Sequence, residues 1–196
     1  MRRREIWGIA LLAAAGLTAL GAHAVLEADR AATSQRLLLY VGVPASNIGD
    51  GLMILAILTG AAGIMLLLPA LIGRIPRTLL RRTIGWTTGM AAAAAVPYLG
   101  LVLVFAYLGA VGIGDTVKVV AADGQSVLVT QDGFDGDIVD IYTEHDEFHY
   151  KWARRAPEIS GWPRVKDQDC RLDATGGGLQ FACGVTRVDI GPKELR

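Results

Sequence analysis

No charged residue interrupts positions 6–26, 51–73 or 84–112, no cysteine precedes Cys170, and no lysine precedes Lys118. Each absence removes a class of function. Ion pathways, proton relays and transporter sites need ionisable side chains facing an interior cavity, and these runs offer only His23. Zinc sites built on thiolates take several cysteines, whereas this chain has two and no CxxC. With three histidines in all and no Ser-His-Asp order, Walker loop or dinucleotide fingerprint in a fitting context, no enzyme active site is composed.

What fills the first 114 residues is apolar. At 1.5 Å rise per residue, each of the three runs is long enough to cross roughly 30 Å of hydrocarbon. The expected fold is a membrane domain over 1–114 with three transmembrane helices, about 6–26, 51–73 and 84–112. A small antiparallel all-β extracytoplasmic domain over 115–196 should follow, as a hairpin-built sandwich or partial barrel. Pro97 should kink the third helix by removing a backbone donor. The run Leu37–Val43 is too short to cross and is expected in the outer interface or beneath the soluble domain.

The formal net charge of zero hides an asymmetry: residues 1–114 carry nine Arg against four acids, and residues 115–196 carry ten basic against fifteen acidic residues. An acidic second half argues against a nucleic-acid partner and suits a cationic one. Arg2, Arg3, Arg4, Arg74, Arg77, Arg81 and Arg82 flank one side of the runs, against Arg30 and Arg36 on the other. That bias predicts a multi-pass protein of a bacterial cytoplasmic membrane with its N-terminus in the cytoplasm and its C-terminal domain outside. Trp7 and Trp86 fall at the predicted cytoplasmic boundary, where indoles are favoured. Arg2–Arg4, the following apolar run and Ala22-His23-Ala24 also fit a cleavable signal peptide, which would leave two spans. The length of the apolar run favours an uncleaved helix, and either way the C-terminal domain is outside.

Gly85, Gly89 and Ala93 form a small-residue ridge, as do Ala56, Gly60 and Gly63. Such ridges pack the chain's own helices or pair it with a second copy.

Beyond residue 114, β-branched runs flank Asp123-Gly124, a tight-hairpin signal. A second hairpin is expected from 138–142 to 148–152 about Glu144–Glu147, with Val139 opposite Trp152, Ile141 opposite Tyr150 and Asp140 opposite Lys151. A third, about Thr175–Gly178, sets Leu172 opposite Phe181 and Cys170 opposite Cys183, predicting a disulfide in an oxidising compartment. Closing about 14 residues is worth about 3 kcal/mol in chain entropy. Residues 185–190 should add a last strand.

Three groups of side chains invite a role. His145 and His149 are four apart, yet Glu147 is misplaced for a zincin helix; a solvated turn is the competing reading for this weak zinc site. Asp132, Asp135 and Asp137 offer oxygen ligands for weak calcium binding without the EF-hand spacing, and otherwise make a turn. Arg154, Arg155 and Trp162 on a long connection, with Phe134, are the expected partner-contact residues, the alternative being that Trp162 covers a small core. No cofactor is expected. The leading expectation is a non-enzymatic membrane protein of the cell envelope, with an accessory or assembly role played through its β-domain on a membrane or envelope protein or as a homodimer. A sensor domain for a small ligand or calcium is the alternative, and a metal-dependent hydrolase at His145 and His149 a third.

Overall fold

The computed structural model describes residues 3–111, 114–133, 136, 138–175 and 178–192. Three helices come first: α1 (Arg3–Ser34), α2 (Ala45–Gly73) and α3 (Thr78–Val111). All three are long and apolar enough to cross a membrane. Each outruns the apolar stretch read from sequence, and α2 and α3 continue through Pro69 and Pro97. The chain divides into two compact units, Met1–Val25 with Ile48–Ala110, and Leu26–Asn47 with Val111–Arg196.

In the helical unit, α1 and α2 run antiparallel, and small residues let their backbones meet. A Cβ added at Gly63 would lie 2.9 Å from Leu12 Cγ and 3.0 Å from the Gly8 carbonyl oxygen, and one at Gly60 would touch Ala15. The expected strip on α2 thus packs on α1 through Gly60 and Gly63, the kind of close approach that gains dispersion contact without a hydrophobic drive. At one end Arg74 donates to the buried Glu5 carboxylate at 2.5 Å. Among the described residues nothing lies within 4 Å of an added Cβ at Gly85 or Gly89 on α3.

Among the described residues the second unit holds eight strands: β1 (Leu37–Leu39), β2 (Gly114–Val120), β3 (Ser126–Asp132), β4 (Val139–Glu144), β5 (His149–Arg155), β6 (Cys170–Thr175), β7 (Gly178–Cys183) and β8 (Thr186–Pro192). They form two antiparallel sheets, β1-β5-β4-β3-β2 and β6-β7-β8. Alternate residues Val117, Val119, Val127, Val129, Val139 and Ile141 of the first meet Leu172, Leu179, Phe181, Cys183 and Val188 of the second in one core, as period-2 patterning requires. Ala156, Ile159 and Val165 of the β5–β6 connection complete it.

The first hairpin turns where Asp123-Gly124 predicts, with Gly124 at φ +87°. The third has the expected register: Cys170 pairs with Cys183 and Leu172 with Phe181, and the two cysteines are disulfide-bonded. Its turn is tighter than expected, because Thr175 already pairs with Gly178; Gly176 and Gly177 lie outside the described residues. The second hairpin differs. Asp140 faces Arg155, Ile141 faces Arg154, Tyr142 faces Trp152 and Glu144 faces Tyr150, with an irregularity between Ile141 and Tyr142. The cause is the turn: Asp146 Oδ1 accepts the amides of Phe148 and His149, each at 2.9 Å, which moves the loop to His145–Phe148. These bonds hold the exposed Asp146 carboxyl down at about 2.

Leu37–Val43 belongs to the β-unit. Its first three residues form β1, an edge strand in which Leu37, Leu38 and Leu39 pair with Lys151, Tyr150 and His149.

Replacing Cys170 and Cys183 together by alanine should lower the stability of the β-unit by about 2–4 kcal/mol and leave the helical unit intact. Urea unfolding followed in the near-ultraviolet checks the first half, and an unchanged midpoint would count against the bond as a stabilising closure.

Candidate functional site

Gln131, one residue before the end of β3, is 2% exposed and holds two loops at once. Its Nε2 donates to the carbonyls of Gly136 (2.8 Å) and Gly161 (2.9 Å), while its Oε1 accepts the Val165 amide (2.8 Å). A buried amide with three satisfied bonds is stable, and it leaves these loops little freedom.

Beside it, Arg164 and Lys166 both reach Asp115 near the start of β2. Arg164 Nη1 donates to Oδ2 at 2.8 Å and Lys166 Nζ to Oδ1 at 2.9 Å, and Arg164 Nη2 also donates to the Gly133 carbonyl. Burial works to raise the Asp115 carboxyl, but the hydrogen bonds and charges of Arg164 and Lys166 outweigh it and hold the group below its ordinary value. The Arg164 guanidinium also lies 5.5 Å from the centre of the Trp162 ring. The indole is exposed, so it does not cover the core.

The opposite end of the unit, at the β2–β3 turn, opens into a cleft of about 530 Å³. Leu179 and Ile190 line it on the second sheet, and Gln125, Thr143, Lys151 and Trp152 on the first. Gln125 carries a buried Oε1 with no hydrogen-bond donor among the described residues. Ser126 and Glu144 also border the cleft, and Ser126 donates to Glu144 Oε2 (2.7 Å) and lies 3.1 Å from the Tyr150 hydroxyl. A hydrogen bond with Tyr150 raises the Lys118 amine. Tyr150 also meets Tyr40 edge-on at 5.9 Å, and Arg36 lies over Trp152. The residues flanking β1 are thus held in the β-unit by aromatic contacts as well as by the ladder.

The residues singled out from sequence are dispersed. Arg154 and Arg155 belong to β5 and not to the connection, and both are engaged internally. Arg154 donates to Glu158 and to the Asp189 carbonyl, and Arg155 bonds both oxygens of Asp140. The β5 strand runs on to Arg155 because Asp140 on β4 pairs with it. Phe134, Asp135 and Asp137 lie outside the described residues, and Asp132 closes β3. His149 Nδ1 is 2.9 Å from each Asp146 carboxylate oxygen, while His145 sits in the same turn. Among the described residues no group of three or more His, Cys, Asp or Glu side chains is arranged to hold a metal ion. Gln131, Asp115, Arg164 and Lys166 carried no signal in the sequence, because they act across separations that no local pattern encodes.

Asp115 has its folded-state pKa below its unfolded value, so its contribution is complete at neutral pH and is lost as the pH falls through the folded value. Asp115→Asn should cost about 1.5–3 kcal/mol at pH 7, the range for hydrogen bonds to charged groups. The two proteins should then converge in stability under acid. Denaturation at pH 7 and at pH 3 measures both, and a constant difference between them would contradict this ionic role. No protein-family model, curated protein or solved structure matches the chain, so what these residues do rests on their own geometry.

Proposed function

We propose that the chain is an integral protein of a bacterial cytoplasmic membrane, with α1, α2 and α3 spanning the bilayer and the β-unit outside. In this reading it is a non-enzymatic accessory or assembly factor that engages a membrane or envelope protein. One observation carries the membrane reading: β1, which joins α1 to α2, pairs with β5, which follows α3. Two segments separated by two crossings must share a side of the membrane, and this pairing agrees with three spans independently of the charge count. Large side chains such as Leu17, Met65, Met90 and Phe105 are open along the helices, as lipid-facing residues would be. The packing of Gly8 and Ala15 of α1 on α2 favours retention of the first helix over its removal as a signal peptide. The arginines on either side of the helices and the disulfide both support the outward orientation of the β-unit.

The cleft is the contact surface this reading prefers. It joins an apolar wall to polar residues and a buried acceptor awaiting a donor, the usual make-up of a binding site. The same cleft favours a second reading, a sensor domain that takes a small ligand bearing a hydrogen-bond donor.

Single cysteines introduced at Thr78 and Ser160 should be labelled by a membrane-impermeant maleimide in whole cells only at position 160. Labelling at 78 alone would reverse the orientation. Purification of the full chain in detergent should bring one envelope protein at fixed stoichiometry; a lone chain carrying a small molecule would favour the sensor instead.

A further inference from the structure

The β2–β3 turn holds Gln125 at the cleft with its backbone fixed. The Ala121 amide donates to the Gln125 carbonyl at 2.8 Å, and the Gln125 amide donates to Asp123 Oδ1 at 3.2 Å. Only the half-buried side chain is left to turn, and its Oε1 has no donor among the described residues. A carboxamide oxygen closed off from water without a donor is unfavourable, so an occupant that supplies one gains a bond the empty cleft lacks.

The charges around that oxygen select the kind of donor. The cleft lining carries two carboxylates, Asp123 and Glu144, and a single ammonium, that of the exposed Lys151. Glu144 is set in place by the buried Ser126 hydroxyl, which donates to its Oε2 at 2.7 Å and lies 3.1 Å from the buried Tyr150 hydroxyl. Residues 115–196 as a whole carry fifteen acidic against ten basic residues, so the long-range field favours a cation as well. An anion would meet both carboxylates, and a hydroxyl brings one uncharged donor. An ammonium brings three donors, each strengthened by its charge.

Leu179 and Ile190, on the second sheet, supply an apolar wall. An aliphatic stem laid on them leaves water while its charged head reaches the turn. The cavity, about 530 Å³, is of a size that holds a small ligand. Every residue of the site belongs to the β-unit.

We propose that the cleft is a binding site for an alkylammonium group, with its head at Gln125, Asp123 and Glu144 and its stem on Leu179 and Ile190. The proposal rests on the reading of the cleft as a binding surface and adds the chemistry of the occupant. A free amine and the lysine side chain of a partner protein share that chemistry.

The test titrates the full chain in nanodiscs calorimetrically with n-butylamine at pH 7, and with butanol and butyrate as uncharged and anionic probes of the same length. Heats from empty nanodiscs are subtracted. The amine should bind at least about tenfold more tightly than either control. Gln125→Leu should weaken amine binding about tenfold with the near-ultraviolet spectrum of the β-unit unchanged. Lys151→Gln, a change at an exposed position, should tighten it about threefold by removing a like charge. Tighter binding of butyrate than of the amine, or weaker amine binding by Lys151→Gln, overturns the proposal and leaves the cleft a ligand site. If none of the three probes binds, the proposal fails. The reading of the cleft then stands if Ile190→Asp releases the protein that co-purifies with the full chain, and falls otherwise. Once the amine binds, a zero-length carbodiimide applied to native membranes separates the two sources. A bond from Asp123 or Glu144 to a lysine of another protein identifies the partner's side chain, and a small amine released from the purified chain identifies a free ligand.

Discussion

The short ladder between β1 and β5 is the contact on which the rest of this architecture depends. It joins a segment between two apolar helices to a segment that follows the third. The three-residue strand supplies little energy of its own, so Tyr40 against Tyr150 and Arg36 over Trp152 secure it. The result is a β-unit made from two separated stretches of chain. The Gly8–Gly63 approach packs α1 closely on the antiparallel α2.

The two ends of the β-unit are built differently. At the β2 start, the buried Gln131 satisfies two loop carbonyls and one loop amide, and Asp115 accepts from Arg164, which makes the end rigid. At the β2–β3 turn a cleft remains between the sheets, and Gln125 lines it with an acceptor that lacks a donor among the described residues. Rigid loops suit a fixed contact, whereas a cleft with an unsatisfied acceptor suits an occupant that brings a donor.

Much of the fold was legible because the rules behind it are local. The presence of three long helices follows from uninterrupted hydropathy, though not their full length, and the Asp123-Gly124 turn follows from backbone permissiveness at Gly124. The Cys170–Cys183 pairing follows from counting outward from a glycine turn in steps that keep Leu172 and Phe181 on one face. The second hairpin shows where counting stops working. An Asp146 side chain competing for backbone amides displaced the loop, an irregularity at Ile141 absorbed a residue, and Tyr150 came to face Glu144 instead of Ile141. Arg154 and Arg155 looked free for a partner until the extended strand set them against Asp140, Glu158 and the Asp189 carbonyl.

Sequence alone determined three long apolar helices, an ensuing antiparallel β-structure, two of the three hairpins expected in it and the disulfide pair, since each depends on residue spacing or composition within a short window. Only the tertiary structure decided that β1 joins the β-unit, that Gln131 and Asp115 pin the Trp162 loop, and that a cleft opens at the other end. Those outcomes depend on residues tens of positions apart meeting in space, and the energy that brings them together belongs to the packed core and its buried hydrogen bonds, not to any one segment.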